Sequence, residues 1–251
     1  MRINLLGANI DGLNMQDTVA KIASFINQGN RACQVITLNP EYLYRAQHEP
    51  ELLQLVNRAD LVTPDGAGIV WASRLLGTPV PERVTGIDLM LALMPVAARA
   101  GWRVFLLGAA PGVAAAAAAN LQRQYPGLQV VGSRHGYFTP AEEAALLQQI
   151  KEARPHLLFV ALGMPRQEQW IARHKDLLGV PVAIGVGGSL DVIAGRVRRV
   201  SPWLQKLQLE WLGRLLQEPS RWRRQLVLPK FAWRCLALKL ASYCPKRSPR
   251  R

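Results

Sequence analysis

Short apolar segments alternate with longer amphipathic segments along most of the chain. The apolar segments have the length and the Val, Ile and Leu content of buried strands, whereas the intervening segments repeat their apolar residues at helical spacing. The predicted strands are 33–38, 61–63, 104–107, 130–131, 157–162 and 182–186. The predicted helices lie near 41–58, 67–77, 86–100, 112–124, 140–153 and 166–177. This alternation predicts an α/β, Rossmann-like fold with a mostly parallel sheet and helices on both faces.

Polar, glycine-rich turns follow five of the predicted strands. They are Thr37-Leu38-Asn39-Pro40-Glu41, Thr63-Pro64-Asp65-Gly66-Ala67-Gly68, Gly108-Ala109-Ala110-Pro111-Gly112, Gly163-Met164-Pro165-Arg166-Gln167-Glu168 and Gly185-Val186-Gly187-Gly188-Ser189-Leu190-Asp191. Ligands of open α/β sheets bind at the carboxyl ends of the strands, where helix N-termini offer free N–H groups to phosphate. Any one such turn also meets the ordinary need for Gly, Pro and Asp. Five turns at one edge favour a phosphate or nucleotide site.

The character of the chain changes near residue 200. Residues 196–251 contain 15 Lys and Arg but only two acids, whereas residues 1–195 contain 16 basic and 15 acidic residues. Trp and Leu repeat at helical spacing in this basic part, which is typical of helices at a membrane interface. A helix pair packed on its own domain explains the same spacing. We predict an α/β catalytic domain over 1–200, a basic helical appendage over 201–245 and a disordered tail over 246–251.

Several function classes are disfavoured by motifs that the sequence lacks. Neither G-x-G-x-x-G nor G-x-x-x-x-G-K-[ST] occurs, which disfavours a nicotinamide dehydrogenase and a P-loop NTPase, and no G-x-S-x-G elbow of a hydrolase is present. The three cysteines are widely spaced and the four histidines lack metal-binding spacing, so we predict no metal site, no cofactor and a reducing cytoplasm. No apolar stretch reaches the roughly 18–20 residues of a membrane span, which predicts a soluble or peripheral protein.

Individual polar residues remain open to two interpretations on their chemistry alone. Asp65 can act as a general base at the end of a strand, or it can simply stabilise a Pro-Asp-Gly turn. Arg83 can neutralise a phosphate or pair with Glu82 at the surface. Gln167 and Glu168 lie near a predicted helix start, where capping roles are also expected.

Five motifs taken together resemble the WecG/TagA/CpsF family of bacterial glycosyltransferases. They are Thr37-Leu38-Asn39-Pro40-Glu41, Thr63-Pro64-Asp65-Gly66-Ala67-Gly68-Ile69-Val70, Glu82-Arg83-Val84-Thr85-Gly86-Ile87-Asp88, His135-Gly136-Tyr137-Phe138 and Gly163-Met164-Pro165-Arg166-Gln167-Glu168. The resemblance runs from about residue 5 to residue 230, in the order and spacing of the family. It implies an inverting, metal-independent transferase that moves a sugar from a UDP-sugar to an amino sugar on a polyprenyl diphosphate.

The resemblance also implies roles for individual residues. Asp65 matches the general base of the family, and Thr37, Asn39, Arg83 and Gln167 match its other catalytic positions. The implied substrate-binding residues are Gly66, Gly108, Tyr137, Gly163, Gly187, Asp191, Arg214, Arg221 and Arg224. Tyr137 and Asp191 would hold the nucleoside, and the three appendage arginines would hold the diphosphate. The aromatic residue that the family usually has next to Asp191 is Leu190 here.

The implied partners are a UDP-sugar donor, a polyprenyl-diphosphate-linked acceptor and an anionic membrane surface. This places the protein in the cytoplasm, bound peripherally to the inner face of the plasma membrane. Donors of the family include N-acetylmannosamine, its uronic acid and glucose-type sugars. A non-catalytic UDP-sugar sensor or a scaffold of polysaccharide assembly remains an alternative, and a homo-oligomer is left open. A nucleic-acid partner is disfavoured because no nucleic-acid-binding motif occurs.

Overall fold

The computed structural model describes residues 2–29, 31–200, 210–217 and 222–243. An antiparallel hairpin of β1 (Arg2–Leu5) and β2 (Ala8–Asp11) precedes a parallel sheet of six strands. These strands are β3 (Cys33–Leu38), β4 (Leu61–Pro64), β5 (Arg103–Gly108), β6 (Gln129–Arg134), β7 (Leu157–Ala161) and β8 (Val182–Gly185). Helices flank the sheet, and the predicted α/β fold is therefore confirmed.

Nine helices of the described residues connect and cover the strands before residue 200. They are α1 (Met15–Gln28), α2 (Pro40–Ala46), α3 (Pro50–Arg58), α4 (Ala67–Leu75), α5 (Gly86–Ala100), α6 (Val113–Gln124), α7 (Pro140–Ala153), α8 (Arg166–Leu178) and α9 (Ser189–Ile193). Three more described helices follow: α10 (Glu210–Gln217), α11 (Trp222–Gln225) and α12 (Val227–Tyr243). The predicted tail, residues 246–251, lies outside the described residues.

The sheet is buried on both faces. One face packs α1, α5 and α6 against strand residues such as Val35 and Ile184. The other face packs α2, α3 and α4 at one end and α7 and α8 at the other, against residues such as Ile36 and Val160. Because successive strand residues point to opposite faces, strands buried on both sides need nearly continuous apolar sequence. This requirement explains why the strands were visible in the sequence.

The predicted single helix over 41–58 is wrong, because two helices occupy this segment. The first, α2, ends at Ala46, and the second, α3, begins at Pro50 after the extended residue Glu49. Proline has no N–H to donate to the preceding turn, and its ring disfavours helical geometry in the residue before it. The sequence prediction also omitted the β1–β2 hairpin and α1, whose N-cap is Asn14.

The strand order creates a crevice near the middle of the sheet. Its order is β4-β3-β8-β7-β5-β6, so the chain first builds one edge with β3 and β4 and then the other with β5 and β6. It returns through β7 and β8 to fill the centre. In open parallel sheets, such a reversal of direction opens a crevice at the carboxyl ends of the strands. The ends of β3, β8 and β7 border this crevice.

The last described helix, α12, packs on the domain beside α2 and α4. Phe231 and Cys235 are buried in the same core cluster as Tyr42 and Ile69. The helical interpretation of the segment around Phe231 is therefore confirmed, and it packs on its own domain as the alternative reading expected. The opposite face of α12 leaves Trp233 71% exposed.

Candidate active site

Asp65 lies at the carboxyl edge of the sheet, directly after β4. Its backbone N–H donates to the carbonyl of Leu38 at 2.9 Å, which joins the ends of β3 and β4. Its carboxylate oxygen Oδ2 accepts from the N–H of Gly86 at 3.3 Å. Because Gly86 begins α5, the carboxylate is held at the N-terminus of a long helix, where negative charge is favoured.

The first turn of α5 fits closely between the ends of β3 and β8. A side chain added at Gly86 would place its Cβ 3.3 Å from Thr37 Oγ1 and 3.4 Å from the Cα of Val186. The hydroxyl of Thr37 donates to the carbonyl of Gly185 at 3.2 Å. Thr37 and Asp65 are therefore brought together around one helix terminus, as expected for residues of one site.

Asn39 has a structural role in this conformation. Its side-chain oxygen accepts from the N–H of Tyr42 at 2.8 Å and so caps the N-terminus of α2. The side-chain NH₂ group is not used by this cap. Asn39 stands directly after β3 at the same edge as Asp65 and Thr37, and its part in catalysis stays a prediction.

Arg83 is held by Asp88 in the first turn of α5. Its guanidinium lies 3.9 Å from Asp88 Oδ2, which also accepts from the hydroxyl of Thr85 at 2.7 Å. The side chain of Glu82, the expected surface partner, instead accepts from the N–H of Met15. The predicted contact of Arg83 with a phosphate stays a prediction.

Arg199 is a residue that sequence reasoning missed. It pairs with the other carboxylate oxygen of Asp88, so Arg83 and Arg199 converge on one acid. The Nε of Arg199 is buried and has no hydrogen-bond partner within the described residues. The sequence signal for a cationic group here was the run of Arg196, Arg198 and Arg199, which follows shortly after Asp191.

The glycines predicted to bind substrate all lie at or just after the carboxyl ends of strands. Gly108 is the last residue of β5, whereas Gly66, Gly163 and Gly187 follow β4, β7 and β8, and each of the four has a positive φ. Gly108 is the position with the strongest requirement for glycine, since an added Cβ would lie 2.3 Å from the carbonyl oxygen of Ala161. A side chain there would force apart the ends of β5 and β7. The edge therefore contains positions that only glycine fits, and the absence of side chains at Gly66, Gly163 and Gly187 suits close approach of a ligand.

The two residues expected to hold the nucleoside lie after β6 and β8. Tyr137 is 73% exposed, and the N–H of Gly136 before it donates to the carbonyl of Ala109 at 2.9 Å, which joins this segment to the end of β5. Asp191 belongs to α9, and its carbonyl accepts from the N–H of Arg196. Leu190 has no aromatic ring to stack on a base, and its side chain is fully buried in the core.

The appendage arginines cannot be placed from their side chains. Arg214 and Arg224 belong to α10 and α11, but their side chains lie outside the described part of the structure. Arg221 lies outside the described residues altogether. Their predicted contact with the diphosphate stays a prediction.

Comparison with known proteins identifies the family. The model of the glycosyl transferase WecG/TagA/CpsF family matches residues 3–244. A Bacillus spizizenii protein is 38% identical over 86% of this chain and 83% of its own length. A Staphylococcus aureus (strain MW2) protein is 35% identical over 95% of this chain and 93% of its own. The chain belongs to the WecG/TagA/CpsF family and is a glycosyltransferase. Both relatives are named N-acetylglucosaminyldiphosphoundecaprenol N-acetyl-beta-D-mannosaminyltransferase.

The described part of this glycosyltransferase comprises residues 2–29, 31–200, 210–217 and 222–243. No helix within these ranges combines the length and apolar character that crossing a membrane requires. The same part of the chain contains no group of three or more His, Cys, Asp or Glu side chains arranged to hold a metal ion.

Gln167 and Glu168 form a buried pair at the start of α8. Gln167 is 4% exposed, and its side-chain oxygen accepts from the N–H of Gly187 at 3.1 Å, so it bonds to the β8–α9 loop. Its Nε2 donates to Glu168 Oε1 at 2.7 Å. Burial raises the pKa of Glu168 to about 7, against the lowering effect of hydrogen bonds from Gln167 and from its own amide. The transferase therefore contains a glutamate that titrates near neutrality inside the protein.

The raised pKa of Glu168 predicts how stability depends on pH. Above pH 4.5 the unfolded chain loses a proton that the folded protein keeps until about pH 7, so stability falls as pH rises through this window. Glu168→Gln removes this loss. Relative to the wild type, its free energy of unfolding should therefore increase by roughly 3 kcal/mol between pH 4.5 and pH 8. Urea unfolding across this pH range measures the difference. Glu51→Gln, which alters an exposed carboxylate, is the control, and an identical pH dependence in both variants would contradict the assignment.

Proposed function

We propose that this glycosyltransferase transfers N-acetylmannosamine from UDP to an N-acetylglucosamine carried on a polyprenyl diphosphate. The names of its relatives support this acceptor and a β-linked product. The observation that carries the proposal is the Asp65 carboxylate, held beside Thr37 at the N-terminus of α5 and at the carboxyl edge of the sheet. Ligands of this fold class bind at that edge.

Asp65 serves as the general base in a single displacement. It takes the proton of the acceptor hydroxyl while that oxygen attacks the anomeric carbon of the donor. The bond from this carbon to UDP breaks on the opposite face, and its electron pair leaves with the diphosphate. One displacement inverts the anomeric configuration, which converts an α-linked nucleotide sugar into a β-linked product. A positioned base contributes roughly 10²–10⁴-fold to such a step.

Arginine side chains stabilise the departing diphosphate without need of a metal. Arg83 and Arg199 share the single negative charge of Asp88, so this cluster keeps a net positive charge. Guanidinium groups can bind phosphate oxygens in a bidentate manner, and charge that develops in the transition state is stabilised most by such prearranged groups. Arg214 would join them from α10, whose Gly213 packs against buried Val200, the neighbour of Arg199.

The exposed face of α12 binds the membrane that carries the acceptor. Trp233, Leu236 and Leu240 repeat at helical spacing and are 71%, 39% and 65% exposed, and Lys230 and Arg234 lie beside them. Apolar residues flanked by cations suit the headgroup region of an anionic membrane. The buried face of the same helix reaches the turn after Asp65, because a Cβ on Gly68 would lie 3.9 Å from the ring of Phe231. Membrane binding would thus bring the lipid-linked acceptor close to the base.

Asp65→Asn tests the general base. The amide keeps the size of the side chain but cannot accept the proton, so transfer should fall by roughly 10²–10⁴-fold while UDP binding remains. UDP release with a panel of UDP-sugars and a synthetic lipid diphosphate acceptor measures transfer, and calorimetry measures UDP binding. Asp176→Asn, at an exposed position of α8, is the control. Wild-type turnover by Asp65→Asn would disprove the role. UDP binding without transfer by the wild type would favour a sensor or scaffold.

Arg199→Gln tests the leaving-group cluster. Losing one charged hydrogen-bond donor to the diphosphate should lower kcat/KM by about tenfold or more. The matched control is Arg198→Gln, since Arg198 is the exposed neighbour and its loss changes the net charge equally. UDP-release kinetics at several salt concentrations separate a specific contact from general attraction. Equal losses in the two variants would show that only the overall charge matters.

Trp233→Glu combined with Leu240→Glu tests membrane binding. Two carboxylates on the exposed face of α12 should abolish sedimentation with phosphatidylglycerol vesicles, because charged groups are expelled from the apolar layer and repelled by anionic lipid. UDP binding should be unchanged. Leu177→Glu introduces a carboxylate at another exposed leucine, on α8, and should leave vesicle binding intact. Full vesicle binding by the double variant would refute the assignment of this face.

A further inference from the structure

A carboxylate is buried beneath the β8–α9 loop, and its hydrogen bonds do not fully replace the water that it loses. Glu168 is 2% exposed, and its Oε2 has no hydrogen-bond partner within the described residues. Removing a carboxylate from water is costly unless partners replace the lost solvation, and burial accordingly raises the pKa of Glu168 to about 7. Because a neutral side chain of the same size would pack here at lower cost, the carboxylate calls for an explanation other than stability.

The other oxygen of this carboxylate begins a short chain of hydrogen bonds. Glu168 Oε1 accepts from Gln167 Nε2 at 2.7 Å, and Gln167 Oε1 accepts from the N–H of Gly187 at 3.1 Å. A primary amide has one donating end and one accepting end. An ionised carboxylate can only accept, so it turns the NH₂ group of Gln167 towards itself. The amide oxygen is then directed to Gly187, which is the one orientation that can receive that N–H.

The surrounding elements confine this pair. A Cβ on Gly185 would lie 2.7 Å from Gln167 Nε2 and 2.9 Å from Glu168 Oε1, so the two side chains occupy the space beside the end of β8. From β3, the buried side chain of Gln34 donates to the backbone carbonyl of Glu168 at 2.9 Å. From α2, Tyr42 faces the carboxylate, whose charge adds to burial in raising the pKa of the phenol. The pair therefore has little freedom to rearrange.

Residues of the candidate site bond to the end of β8 and to the β8–α9 loop that follows it. Thr37 donates to the carbonyl of Gly185 at 3.2 Å, and Gln167 accepts from the N–H of Gly187. The loop leads into α9, which contains Asp191, the residue expected to hold the nucleoside. Loss of the bond to Gln167 would leave the N–H of Gly187 without this partner, while the loop would stay attached at Val186, whose N–H donates to the carbonyl of Val160.

We propose that Glu168 is a positioning residue for the donor substrate: its buried carboxylate orients the Gln167 amide, which fixes the Gly187 backbone that receives the nucleotide. This inference rests on the proposed transfer from a UDP-sugar. It assigns Glu168 no contact with the substrate, since the carboxylate acts through Gln167. The expected effect is therefore on donor affinity more than on the chemical step.

A double-mutant cycle with Glu168→Met and Gln167→Met tests the proposal. Methionine preserves size but accepts no comparable hydrogen bond, so Glu168→Met should raise the donor KM and the UDP dissociation constant about tenfold with little change in kcat. If Glu168 acts through Gln167, the double variant should bind UDP no more weakly than Gln167→Met alone. Gln34→Met removes a buried hydrogen bond to the same residue without touching the amide and is the matched control. Independent, multiplicative effects of the two substitutions would overturn the proposal.

Hydrogen exchange provides a readout that does not depend on catalysis. Amides of residues 187–189 should exchange about tenfold faster in Glu168→Met than in wild type, and Gln34→Met should leave them unchanged. Unchanged exchange and unchanged UDP affinity in Glu168→Met, with an active wild type, would overturn this inference alone. A wild type that neither binds UDP nor transfers sugar would overturn the proposed function and the donor role of Glu168 with it.

The isosteric variant Glu168→Gln covers the case in which methionine prevents folding. In the wild type, ionisation strengthens the bond to Gln167, so the donor KM should fall as pH rises through about 7. Glu168→Gln should lose this inflection while keeping any pH dependence that comes from UDP itself. Superimposable pH profiles for the two proteins would contradict the proposal.

Discussion

The close approach of α5 to the sheet is the contact on which the site depends. Gly86 lets the first turn of this helix enter between the ends of β3 and β8, where any side chain would press on Thr37 and Val186. The N–H of Gly86 then meets the carboxylate of Asp65. In the same first turn, Asp88 pairs with Arg83 and Arg199. A single helix terminus therefore places the proposed base and the proposed leaving-group cations on one short segment of backbone.

Buried polar groups under this edge are unfavourable for stability. The Gln167–Glu168 pair is buried with one carboxylate oxygen unpartnered within the described residues, and the amide oxygen of Gln167 bonds to the β8–α9 loop. A fold optimised for stability alone would place apolar atoms there. The same logic applies to α12, whose exposed tryptophan and leucines are unfavourable in water and favourable in a membrane.

Much of the fold could be predicted because its strands are buried on both faces. Cys33–Leu38 and the helix Gly86–Ala100 match their predicted bounds, since continuous apolar runs and strong end signals mark them. The prediction of one helix over 41–58 was wrong because helical periodicity continues across Pro50 while the backbone does not. Asp65 and Thr37 could be named as site residues from their turns and from the resemblance to the family. Arg199 could not, because an exposed basic run gives no sign of which arginine turns inward.

The sequence alone determined the alternation of strands and helices from β3 onward, the polar turns near the ends of the strands and the family. These features are local, since periodicity and turn chemistry are encoded within a few neighbouring residues. Only the tertiary structure decided which turns meet, that Asp88 joins Arg83 to Arg199, and that Leu190 belongs to the core. It also revealed that Glu168 is buried and that hydrogen bonds connect it through Gln167 to Gly187. These contacts join residues from separate strands and helices, and the strand order that brings them together leaves no local mark in the chain.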